Sequence, residues 1–217
     1  MNGSQSATAR EIERASWSQG ILTLVSILIG VALSIAVGRT QELKSIDLGY
    51  ALRLLAFCIY CVTVFWYYHR FSAFFYRRAS IFSILLPSIV GSALIATAHA
   101  IGDSQRFAVW TLVLLTGGAY SFAATAINCA RGKFRIIEAL EGTDLLRRFG
   151  NAMARSAIFL ALMSSATAAM IWGGPLPGAV DLDTALCAVN GGLFAFLSLL
   201  NWIFFTRPLE RVIDGVR

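Results

Sequence analysis

Charge is scarce in this chain: 14% of its 217 residues are Asp, Glu, Lys or Arg, against 57% hydrophobic residues and a mean hydropathy of +0.69. A soluble core of this size has no room for so much apolar surface, which excludes an ordinary soluble domain. Catalytic groups are scarcer still. Histidine occurs twice, at His69 and His99, too far apart in depth to share a site. No Asp or Glu falls inside the long apolar runs, and no Gly-rich phosphate loop is present. The chain is therefore not expected to be an enzyme or to hold a cofactor. The four cysteines support neither a disulfide framework nor a metal site. Cys58 and Cys61 have redox-motif spacing but lie within an apolar run, Cys129 ends another and Cys187 begins a third. They read as small buried apolar side chains.

What the chain does have is long uncharged runs, at 20–38, 48–68, 79–102, 107–130, 156–172 and 184–206. Only Arg53 interrupts the second, near one end, and Gly173, Gly174, Pro175 and Pro177 close the fifth. Crossing the hydrocarbon takes about 20 apolar residues, and a spanning segment must satisfy its own backbone, so each run is expected to be a helix. The expected fold class is all-α, an integral membrane protein of six transmembrane helices. It divides into an N-terminal segment (1–19), a six-helix domain (20–206) and a tail (207–217). The first run is preceded by Glu11 and Glu13 and lacks a small-residue cleavage site, so it is expected to be retained and not removed as a signal peptide.

Lys and Arg set the orientation. With the N-terminus inside, the cytoplasmic set is Arg10, Arg14, Arg70, Arg77, Arg78, Arg131, Lys133, Arg135, Arg147, Arg148, Arg155, Arg207, Arg211 and Arg217. The outer set is Arg39, Lys44, Arg53 and Arg106, a ratio of fourteen to four out of 18. This bias puts both termini in the cytoplasm, in a multi-pass protein of the bacterial inner membrane. The pI near 9.5 then reflects topology and contact with anionic lipid, with no nucleic-acid partner required.

Little is expected outside the bilayer. The polar segment 1–9 reads as disordered. The largest connector runs from Arg131 to Arg155; Ile136, Ile137 and Leu140 before Gly142, and Leu145, Leu146 and Phe149 after it, suggest two short amphipathic pieces at the inner surface, or a solvated connector. Asp181 and Asp183 lie in a short outer loop, as solvated charges or a weak attractor of cations.

Polar chemistry gathers at the inner ends of the first two runs. Trp17, Ser18 and Gln19 lead into the first, and the second leaves through Phe65-Trp66-Tyr67-Tyr68-His69-Arg70. Trp66 and His69 are three apart and share a helix face, from which they can meet Ser18 or Gln19; an aromatic belt with an incidental His is the other reading.

With these motifs the sequence resembles the endolysosomal potassium channel family, that of transmembrane protein 175, whose six-helix prokaryotic members carry Arg, three residues and Phe-Ser-Asp at the start of the first helix and Trp-x-x-His at the end of the second. Here Trp17-Ser18-Gln19 stands for Phe-Ser-Asp, Trp66 and His69 match the second motif, and Leu85-Leu86-Pro87 is similar to the family's Leu-Pro turn. The likeness covers roughly the first 90 residues. Glu13 stands where the Arg would be, with Arg14 one place late, and Gln19 replaces the carboxylate. Gln hydrogen-bonds but cannot make the carboxylate's charge-assisted bond, so the network around the first helix must be rebuilt.

The resemblance implies a homotetramer, permeable to monovalent cations such as K+, whose first helices line a pore. It places the constriction at Leu24, with Ile27 or Leu28 and then Val31 on later turns, beside a small polar stripe of Thr23, Ser26, Gly30 and Ser34. Such hydroxyls can serve a hydrated ion and apolar rings can gate by dewetting, while the same small residues also let helices pack closely. The alternative is a non-conducting scaffold or sensor that binds a partner through its basic cytoplasmic loops.

The topology is directly testable. Reporter fusions after Gly38, Arg78, Ser104, Gly142, Leu182 and Arg217 are expected to alternate outside and inside, starting outside. Two successive fusions on the same side would rule out six spans.

Overall fold

A computed structural model describes residues 2–43, 45–76, 81–132, 135–136, 144–172, 181–203 and 207, with backbone alone for 2–18, 70–76, 81–84, 135–136 and 201. Among the described residues are six α-helices: α1 (Asn2–Gln41), α2 (Leu48–Phe74), α3 (Ile81–Ala100), α4 (Ser104–Ala130), α5 (Leu145–Trp172) and α6 (Leu182–Asn201). Five of them hold segments long and apolar enough to cross a membrane: Gln19–Gln41, Leu48–His69, Ser104–Ala130, Leu145–Trp172 and Leu182–Leu200. The chain is thus an all-helical, multi-pass membrane protein. In α3 the apolar stretch Leu85–Ala100 is shorter. A two-residue antiparallel ladder, β1 (Phe75–Tyr76) on β2 (Arg135–Ile136), ties the segment after α2 to the segment after α4.

Neighbouring helices form a closed ring in the order α1, α3, α4, α5, α6, α2, with α4 also touching α2 and α6 across the middle. Each helix turns one stripe inward. On α1 it is Val25, Ile29, Ala32 and Ala36, and on α6 Leu186, Asn190, Leu193, Leu197 and Leu200, spacings of three and four that keep one helix face on the core. Leu22, partly buried, packs against this core.

Close approach is set by small residues. A Cβ on Gly91 of α3 would lie 2.8 Å from Leu28 Cβ on α1, and one on Gly150 of α5 would lie 3.0 Å from Cys129 Cβ on α4. Without a hydrophobic drive between helices in lipid, such backbone contact is what makes packing favourable.

Three expectations change. Backbone of 2–9 belongs to α1, because residues such as Ala7, Ala9 and Arg10 have high helix propensity and extend a helix already nucleated downstream. Helix α5 begins at Leu145 and not at 156: Leu145 and Phe149 are buried and Gly150 meets Cys129, so the second amphipathic piece is the N-terminal extension of a span. Ile136 is in the ladder and not in a helix, while Ile137 and Leu140 lie outside the described residues.

Gly91→Val is expected to destabilise the bundle, since a β-branched side chain there collides with the root of Leu28. Thermal unfolding in detergent should show a loss of about 1–3 kcal/mol, the usual scale of overpacking, and the same change at open Gly117 a much smaller one.

Candidate functional site

At one end of the bundle α2, α4 and α6 begin, and each starts on an aspartate. The Tyr50 amide donates to Asp47 Oδ1 (2.6 Å), the Arg106 amide to Asp103 Oδ1 (3.0 Å) and the Thr184 amide to Asp181 Oδ1 (2.7 Å). These carboxylates satisfy orphan amides and sit favourably at the positive end of the helix dipole. The Thr184 amide, helped by its hydroxyl, holds the Asp181 carboxyl below the usual carboxylate range. The cap is therefore in force at neutral pH and fades as pH falls through that lowered value.

Asp183 has a different task, and the solvated-loop reading of it is overturned. Its carboxylate accepts from the Arg53 guanidinium and from Ser104 Oγ (2.7 Å), while Arg53 Nε donates to the Ile101 carbonyl (2.6 Å). The two charged side chains are 8% and 14% exposed. One ion pair thus ties together α2, the end of α3 and the starts of α4 and α6. Gly49 leaves room for it, since a Cβ there would come within 2.5 Å of Asp183 Oδ2. Sequence reasoning noted both Arg53 and Asp183 but had no means of pairing residues 130 positions apart. At the same end Thr40 spends its proton on the Ala36 carbonyl (2.8 Å) and so accepts from the Tyr50 hydroxyl (2.9 Å), joining α1 to α2.

The candidate pore helix α1 is two-sided. Thr23, Ser26, Gly30 and Ser34 are exposed, with Ile27 58% and Val31 43% exposed beside them, opposite the packed stripe. Thr23 and Ser26 donate their hydroxyl protons to the carbonyls of Gln19 and Leu22, both at 2.8 Å. Their lone pairs remain directed outward as acceptors. Leu24 lies at the border, half-buried, and Leu28 is seated against Gly91 of α3. The structure thus gathers Thr23, Ser26, Ile27, Val31 and Ser34 on one outward face and sends Leu28 toward the neighbouring helix.

Of the inner-end motif, Gln19 and His69 are exposed, Trp66 is half-buried, and His69 stacks on Phe65 of its own helix at 6.0 Å between ring centroids. The side chains of Trp17 and Ser18 lie outside the described residues. Among the described residues no three His, Cys, Asp or Glu side chains come together as a metal site.

Removing one partner of the buried pair leaves the other charge uncompensated. Arg53→Ala and Asp183→Ala are each expected to lower stability by about 3–5 kcal/mol, whereas Arg53→Met with Asp183→Leu recovers most of the loss. Thermal unfolding of the purified variants checks both. Comparison of the chain with protein-family models, with curated proteins and with solved structures finds no match.

Proposed function

We propose that the chain is the subunit of a potassium-permeable cation channel, a homotetramer with α1 of each copy around a central axis. In this reading the subunit spans the bacterial inner membrane six times with both termini in the cytoplasm, and lipid surrounds the remaining outward faces. The observation that supports it best is the two-sidedness of α1. The face with Thr23, Ser26, Gly30 and Ser34 is turned away from the subunit, and Ile27 and Val31 share it, so hydroxyls and apolar side chains alternate along one outward stripe. Closed symmetry buries such a face in a ring of identical copies, where one side chain per subunit completes a constriction.

The back-bonded hydroxyls suit this role. With their protons committed to the helix, Thr23 and Ser26 present oxygen to the axis, the polarity a hydrated cation needs. Leu24 and Ile27 form the apolar narrowing in this scheme, with Val31 one turn deeper. The resemblance of the inner-end motifs, Trp17-Ser18-Gln19 and Trp66 with His69, points the same way. The fourteen basic residues assigned to the cytoplasmic side support the orientation.

Replacing either Leu24 or Ile27 by Ser is expected to wet the ring, raising potassium flux into proteoliposomes and lowering discrimination between potassium and sodium. Ile158→Ser, at a position 64% exposed on α5, should leave flux as it was. Unaltered flux in both α1 variants, or a purified assembly whose mass is not that of four copies, would overturn the reading.

A further inference from the structure

Deep in the bundle, away from α1, five polar side-chain atoms are buried with no hydrogen-bond partner among the described residues: the Tyr60 hydroxyl, Thr111 Oγ1, Thr167 Oγ1 and both amide atoms of Asn190. Their residues are at most 5% exposed. They come from α2, α4, α5 and α6, which follow one another around the ring. Each lies on its helix's inward stripe.

Their depths agree. Tyr60 is seven residues after Arg53, Thr111 seven after Ser104 and Asn190 seven after Asp183, and Arg53, Ser104 and Asp183 are bonded to one another at the end of the bundle. Two turns of helix put all three about 10 Å further in. On antiparallel α5, the contacts of Thr116 with Ser164 and of Gly118 with Leu160 set the register that brings Thr167 level with Thr111. Tyr60 and Thr111 are close enough to interact, though short of hydrogen-bond geometry. Between this layer and the ion pair lie Phe57, Phe107 and Leu186, all at 0% exposure, and on its other side come Leu115 and Leu193 beside the Thr116 to Ser164 contact.

We propose that this layer is a buried hydration site, in which water molecules are held among Tyr60, Thr111, Thr167 and Asn190. Three hydroxyls and one amide supply both donors and acceptors, the mixture that a water with two to four bonds requires. Dry, the same atoms would each forfeit a hydrogen bond in a low-dielectric interior, where polar groups are otherwise paired or face water. A cation is a poor occupant, because the layer has no carboxylate and the nearest charges, Arg53 and Asp183, neutralise one another. Phe57, Phe107 and Leu186 separate it from the ion pair and from that end of the bundle. It is separate from the α1 face and stands whether or not that face conducts.

Hydroxyl radicals generated by X-rays modify membrane-embedded side chains where water is bound, so mass spectrometry of the irradiated full-length protein in lipid nanodiscs reads the site. Tyr60 is expected to be modified several-fold faster than Phe57 and Phe107, although these lie nearer the end of the bundle. With rapid mixing into oxygen-18 water the label on Tyr60 should stay oxygen-16, the mark of trapped water. Asn190→Leu, or Thr167→Val should the first fail to fold, should cut Tyr60 modification several-fold. Tyr60 modified no faster than the two phenylalanines would overturn the proposal. So would an Asn190→Leu protein with a raised Tm and unchanged Tyr60 modification, the response of a dry core relieved of an unpaired amide.

Discussion

Arg53 and Asp183 form an ion pair inside an apolar bundle, and most of the architecture at that end is arranged around it. Two charges taken out of water are costly unless their remaining donors and acceptors are met. Here the second guanidinium bond goes to the Ile101 carbonyl at the end of α3, and the second carboxylate oxygen receives Ser104 at the start of α4. Satisfying one pair therefore brings four helices to a common point. The absence of a side chain at Gly49 is part of the same arrangement, since the carboxylate occupies the space a Cβ would fill.

From that point the interior is layered. Aspartate caps and the ion pair make a polar end, the large side chains Phe57, Phe107 and Leu186 follow, and a layer of hydroxyls and one amide comes next. Lower in the bundle, small residues take over the work of adhesion. Gly91 against Leu28 and Gly150 against Cys129 bring backbones together where lipid provides no hydrophobic drive. Helix α1 is held by its packed stripe on α3 and α2 and by the Thr40 to Tyr50 bond, which leaves its other face for lipid or for identical copies.

This division of labour bears on function. The α1 face is chemically mixed, with hydroxyls and glycine beside Ile27 and Val31, and it lies outside the subunit's own core. The buried polar layer is enclosed by the subunit itself. A membrane protein of this size can thus keep two polar regions apart, one on its outward surface and one buried in its core.

The membrane character, the helical class and the approximate spans were legible in the sequence alone, because hydrocarbon imposes its length and its intolerance of unpaired backbone on every residue of a span. The two-sidedness of α1 was partly legible as well, from the spacing of Thr23, Ser26 and Ser34. Contacts between distant residues were not. Nothing local marks Asp183 as Arg53's partner, or distinguishes it from Asp181, which merely caps a helix. Nothing local shows that Leu145 and Phe149 continue a span, that Leu22 faces the core, or that Tyr60, Thr111, Thr167 and Asn190 share one depth. Those facts depend on which helices become neighbours and in what register, a choice made by packing over the whole ring and invisible to the periodicity of any single segment.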